Sequence, residues 1–235
     1  MMRIIMRIEY KGVLACFGAR RRRTVIMKRT LTTIIFSLAA LVILTGCAGK
    51  VKYPNYYTLN LPAPPDPPAA ENAHARLEVR EFRAPTYLRQ GAIVYKTSPE
   101  EIGLYAYDRW AMDPRDFVTN AIVERLRASG AFARVQTYDG SRDVEYVLSG
   151  RLEKLDELDY QGSVKVEVAI SAEMTSIATG ATVWRNAVSE TGDVDKRDVP
   201  AVVSEMNRTM ERAIEKLVTP LSAGWVAGST AAQKE

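Results

Sequence analysis

The stretch SVKVEVAISAEMTS, Ser163 to Ser176, constrains the fold of this chain more tightly than any other. Val164, Val166, Val168, Ile170, Ala172 and Met174 alternate with Lys165, Glu167, Ala169, Ser171, Glu173 and Thr175. Successive side chains of a strand point to opposite faces, so the pattern predicts one long strand with a dry face and a wet face. A dry face of that length has to be covered, and two amphipathic helices are available to cover it. For the first, Asp113 is placed to cap, Pro114 to take the first helical position and Gly130 to stop the helix. Its Val118, Ala121, Ile122 and Leu126 share one face. The second starts near Asp198 and Pro200, ends at Thr219-Pro220, and aligns Val203, Met206, Met210, Ala213 and Leu217.

The other elements read as strands. Leu77 and Val79 alternate with Glu78 and Arg80; Ala92 to Pro99 and Ile102 to Trp110 form two more, joined by a turn at Ser98 and Pro99. Arg134 to Tyr138 is short, and Glu145 to Leu158 is long, with Gly150 read as a bulge. Thr179-Gly180 is a hairpin turn into ATVWRNAVSE, where Trp184 and Val188 share a face. Strands so close in sequence are expected to pair antiparallel. The expected class is α+β: an antiparallel β-sheet with two α-helices packed on one face, forming one domain over residues 76–221 with a flexible tail at 222–235.

Candidates for chemistry are few. The single histidine, His74, lies in a proline-rich stretch, which leaves no Ser-His-Asp or Cys-His constellation and no histidine-rich metal site. No phosphate-cradling glycine motif is present. The acidic runs EKLDELD (Glu153 to Asp159) and GDVDKRD (Gly192 to Asp198) read as a wet strand face and as a charged loop with a helix cap. The second lacks the ligand spacing of a calcium loop. No catalytic residue, metal site or cofactor is expected, and the chain is not expected to be an enzyme. Tyr95, Tyr105, Tyr107 and Trp110 are large side chains that serve either the core or an interface; with Tyr56 and Tyr57 they are the candidate partner-binding residues.

The beginning of the chain follows different rules. Of its 32 basic and 28 acidic residues, nine basic and one acidic precede Cys47, so the remainder carries 23 against 27. The basic pI therefore gives no reason to expect nucleic acid. Leu31 to Thr45 is uncharged and follows Lys28 and Arg29, but it falls short of the ~20 apolar residues of a membrane span. A basic region, a short apolar core and small residues at a cut describe a secretory signal peptide. Leu44-Thr45-Gly46-Cys47 resembles the bacterial lipobox. That resemblance implies cleavage between Gly46 and Cys47, diacylglycerol on the Cys47 thiol, and an acyl chain on its new amino group. Residues 1–46 are then a signal region, with Met27 as the true start and Cys16 lost along with the first 26 residues. Ala48, where inner-membrane lipoproteins commonly carry Asp, implies the outer membrane and its periplasmic face in a two-membrane bacterium. Residues 47–75 are expected to form a tether, with a short strand at YYTL (Tyr56 to Leu59) and a semi-rigid spacer built on five prolines between Leu61 and Ala70.

The order of lipobox, YYTL, proline gap, the block IVYKTSPEEIGLYAYDRWAMDPRDFVTNAIVERLRASGAF and the hairpin TGATVW resembles the ABC-type transport auxiliary lipoprotein family, whose best-known type is the paraquat-inducible protein C. The likeness spans about Cys47 to Pro220 and is most specific over Tyr105 to Phe132. It implies a non-enzymatic, outer-membrane lipoprotein that works with a mammalian-cell-entry (MCE) domain protein and with the permease and ATPase of an ABC transporter, moving lipids or other hydrophobic compounds. The folded sheet would dock the MCE assembly, and ATP would be consumed by the partner. Two other roles fit the residues: a structural lipoprotein that assists assembly of an outer-membrane β-barrel, and a periplasmic carrier that binds lipid itself.

Overall fold

The computed structural model describes residues 31–37, 51–64, 75–140, 143–160 and 162–232. Gly46, Cys47, Ala48, Cys16, Met27, His74 and most of the proline spacer lie outside them. Residues 31–37 are helical. Among the described residues no helix is long and apolar enough to cross a membrane. The second unit, which begins at Tyr53, holds one eight-stranded sheet and two long helices.

The spine of the sheet is β6, Tyr146–Tyr160, which pairs antiparallel with β7, Ser163–Ser176. β7 in turn pairs antiparallel with β8, Thr182–Asp193, across the hairpin at Gly180. The other edge of β6 is shared by two short strands. β2, Arg76–Val79, lies parallel to its first part and β3, Ala92–Lys96, parallel to its last part. Between them Arg83 donates to Gly150 O at 2.9 Å and accepts from Leu152 N at 2.8 Å. Residues 76–96 therefore track β6 as one interrupted strand. Outside this layer β5, Arg134–Thr137, pairs parallel with β2, β4, Ile102–Trp110, pairs antiparallel with β3, and β1, Asn55–Tyr57, pairs parallel with β4.

The expectation of an antiparallel sheet thus holds for the three hairpin-linked pairs and is corrected for the other four, which are parallel. A tight turn forces antiparallel pairing, but β2 and β3 reach β6, and β1 reaches β4, only through long connections that allow either direction.

The helices form where capping and periodicity place them. In α1, Pro114–Ala128, the Asp113 carboxylate accepts from Arg115 N at 2.9 Å, and Gly130 takes φ +65° beyond the C-terminal end. α2, Val199–Ala232, begins with Asp198 accepting from Ala201 N at 2.8 Å. The six residues of the dry face of β7 are all buried, together with Val203, Met206, Met210, Ala213 and Leu217 of α2 and Val118, Ala121, Ile122 and Leu126 of α1. α2 packs on β7 and β8, α1 packs on β5 and β6, and the helices touch each other. Arg125 of α1 reaches Glu215 of α2 at 2.9 Å.

Two local expectations are revised. Gly150 marks a close approach: a Cβ there would lie 2.1 Å from the Phe82 ring, and the register shift of β6 falls between Leu152 and Lys154 instead. The second helix runs through Pro220 and does not end there. Proline lacks the N–H that would bond to the Lys216 carbonyl, and Asn186 Nδ2 of β8 donates to that carbonyl at 3.5 Å. Beyond Pro220, Trp225 stacks on Phe132 at 5.2 Å and meets Tyr146 edge-on at 4.6 Å. Residues 222–225 are therefore part of the packed domain and do not belong to a free tail.

Candidate functional site

The candidate aromatic residues converge on one end of the sheet, where β1 and β4 follow β3. Asn55, Tyr56 and Tyr57 of β1 stand opposite Asp108, Arg109 and Trp110 of β4. Asp108 Oδ1 accepts from Asn55 Nδ2 at 3.0 Å and from the Tyr57 hydroxyl at 3.2 Å, and Tyr57 O accepts from Ala111 N at 2.7 Å. Burial, reinforced by the Asp108 carboxylate, raises the pKa of the Tyr57 phenol. Trp110 is buried in the core, and its backbone N–H donates to Gly91 O at 2.8 Å.

Tyr95 and Tyr105 serve the interior of the hairpin. Their rings lie 4.9 Å apart, and the Tyr95 ring occupies the space that a Cβ on Gly103 would enter. The Tyr105 hydroxyl donates to Glu157 Oε2 at 2.9 Å. Glu157 is buried, which holds its carboxyl above the ordinary range, while the bond from Tyr105 works in the opposite direction. The neighbouring Asp156 points to the other face and is buried too. Burial raises its pKa against the pull of Lys96, whose ammonium sits 2.9 Å away, and Tyr87 donates to it at 3.4 Å.

The reading of EKLDELD as a wet strand face is therefore corrected for Asp156 and Glu157. Their flanking Leu155 and Leu158 gave no hint. The partners that make burial tolerable, Lys96 and Tyr105, sit on strands far away in sequence. Among the described residues no cluster of His, Cys, Asp and Glu could hold a metal ion.

Of the six candidate aromatics, Tyr56 and Tyr107 are exposed, at 63% and 41%; Tyr57, Tyr95 and Tyr105 are half-buried and Trp110 is buried. Sequence reading missed Ile102, Leu104 and Met112, apolar residues that the fold leaves exposed beside them. Cross-strand partners share a face, so Ile102 and Leu104 lie on the face of Lys96 and Val94, and Tyr56 lies with Arg109 and Ala92 on that same face. This is the side opposite α2, because Val94 stands beside Asp156 while Leu155 faces the helix side with Val168.

At the other end of the sheet the helix-free face is polar. Arg185 pairs with Glu173 at 2.9 Å and Lys165 with Asp193 at 3.0 Å, with exposed Ala187 and Ser189 between them. Leu61, Pro62, Met112, Phe117 and Arg125 help to line an open groove of about 280 Å³ beside α1. It lies just below the ~300–1,000 Å³ of ordinary small-molecule sites.

The expected tether needs a further correction. β1 precedes the proline-rich stretch and is already part of the sheet. That stretch links two strands of one sheet, and only residues 48–54 lie between Cys47 and the domain.

A crystal structure of a protein from Xanthomonas campestris, described with the family model DUF330, superposes with a TM-score of 0.63 at 17% identity, covering 76% of this chain and 99% of that one. Another protein of known structure, described as uncharacterized, gives a TM-score of 0.56 at 15% identity over 72% of this chain and 99% of its own. At these identities the likeness establishes the fold. No curated protein matches the sequence significantly. The model of the ABC-type transport auxiliary lipoprotein component matches residues 57–218, from the last residue of β1 into the middle of α2, and the chain belongs to that family.

Proposed function

We propose that the chain is a non-catalytic lipoprotein of an MCE/ABC-type system that moves lipids or other hydrophobic compounds. It is held at the periplasmic face of the outer membrane by diacylglycerol and an N-acyl chain on Cys47. The observation that carries this reading is the family match over residues 57–218 in a chain whose first strand begins eight residues after a lipobox cysteine. Three acyl chains, at ~0.8 kcal/mol per buried CH2, make such an anchor effectively permanent. Ala48 favours the outer membrane.

In this role the domain docks the MCE assembly through the helix-free face of β7 and β8, and ATP is hydrolysed by the partner at the inner membrane. Small side chains at Ala187 and Ser189 allow close approach there, and Arg185, Glu173 and Lys165 supply the polar rim. Among the described residues, the groove beside α1 is an open one of about 280 Å³ and not an enclosed lipid cavity, which favours docking over carriage.

Copurification from detergent-solubilised envelopes tests the role: MCE and permease subunits are expected. An outer-membrane β-barrel in their place indicates barrel assembly, and a stoichiometric lipid indicates a carrier. Ser189→Trp should abolish recovery of the MCE subunit without changing the melting temperature. Cys47→Ala should leave an unacylated precursor; mature outer-membrane lipoprotein from that variant would refute the anchor.

A further inference from the structure

We propose that the β1–β4 end of the sheet rests on the lipid leaflet that holds Cys47, so that the domain stands on the bilayer in one orientation. This rests on the acylation of Cys47. Among the described residues between Tyr53 and Trp225, six of the nine exposed large hydrophobics, Tyr53, Tyr56, Ile102, Leu104, Tyr107 and Met112, lie on β1, on β4 or within two residues of them. Their exposures run from 37% for Leu104 to 79% for Tyr53. Exposed apolar residues concentrated along one edge of a sheet mark a contact.

The length of the chain decides what that contact is. Eight residue steps separate Cys47 from Asn55, and an extended chain gains at most ~3.6 Å per step, so the start of β1 stays within about 29 Å of the Cys47 backbone. The patch cannot leave the neighbourhood of the bilayer, whereas the β8 end lies five strand spacings away, roughly 24 Å across the sheet. The chemistry fits as well. Tyrosine is enriched at the membrane–water boundary, where the ring sits among headgroups and the hydroxyl stays wet, and aliphatic side chains of a shallow patch reach ~5–10 Å into that layer. Arg109, on the same face as Tyr56, places a cation at headgroup level. Since three acyl chains already hold the protein, the patch sets orientation: it turns β7 and β8 away from the membrane, toward a partner in the periplasm.

The test uses the acylated full-length protein in vesicles of phosphatidylethanolamine and phosphatidylglycerol, with nitroxide labels on Tyr56→Cys, Leu104→Cys and, as a control at the far end, Ser189→Cys. The first two labels should collide severalfold less often with an aqueous nickel chelate, and more often with oxygen, than the third. Adding Tyr53→Ser and Met112→Ser should restore chelate access at Leu104→Cys, with circular dichroism unchanged. Flotation of unlabelled protein reads the Cys47 anchor separately. Floating protein whose three labels are equally water-accessible overturns the orientation alone; protein that neither floats nor shields its labels overturns both readings. Shielding that arises only on adding purified MCE-domain protein makes the patch a protein interface and overturns the lipid contact.

Discussion

Gly150 sits against the ring of Phe82, whose backbone N–H donates to Thr119 Oγ1 of α1 at 3.0 Å, and the ring leaves no space for a methyl group. Gly150→Ala should therefore destabilise the domain by about 1–3 kcal/mol, the usual cost of overpacking, seen as a lower urea midpoint. The glycine was legible in the sequence but its reason was not, because the side chain that excludes a Cβ arrives from sixty-eight positions away. Tyr105 was equally visible as an aromatic, and its partner Glu157 was taken for a solvated residue. Tyr105→Phe should cost about 1–3 kcal/mol by leaving a buried carboxylate oxygen without its donor. The same site gives a pH dependence. Because burial raises the folded-state pKa of Glu157, the native state binds the proton more tightly than the unfolded chain does. Its contribution to stability is thus fully present below the unfolded pKa, ~4.3, and is lost as the pH rises through the higher folded value. Urea titrations should show stability of the parent falling relative to Glu157→Gln across that interval; parallel curves would show that the carboxyl titrates normally.

Single elements were read most reliably where local rules dominate. Alternation located β7, the Asp-Pro start and Gly stop bounded α1, and Thr179-Gly180 marked the last hairpin, because each depends on residues within one or two turns of chain. α2 shows how a local rule fails. Proline ends a helix when the freed carbonyl has nothing to bond to, but Asn186 on β8 approaches Lys216 O, and Trp225 finds Phe132 and Tyr146 one turn further on. Tertiary contact outweighs local preference, and no residue near Pro220 announces it. Truncation after Leu221, neutral for a frayed tail, should lower the thermal midpoint. Trp225→Ala should reproduce most of that loss at about 2–3 kcal/mol, less than the 3–5 of a fully buried aromatic.

At the scale of the whole molecule, the layer order could be read from the sequence and the strand directions could not. Two helices on one face follow from the amphipathic stripes; the parallel course of residues 76–96 along β6 depends on connections too long to dictate direction. The candidate site was half legible for a similar reason. Residue type picked out Tyr56 and Tyr107, but exposure separates them from Tyr105 and Trp110, and exposure is decided by the register of β3 on β4. The placement of β1 ahead of the proline-rich stretch has a mechanical consequence. On the proposed anchoring and docking, tension would enter the domain at the three residues of β1, which pair with β4 alone. Peeling β1 away would next have to draw Leu59 out of the core and break the bond from Asn60 N to Asn207 Oδ1 of α2, so the buried leucine is the latch that keeps a passing load from reaching the chain beyond it.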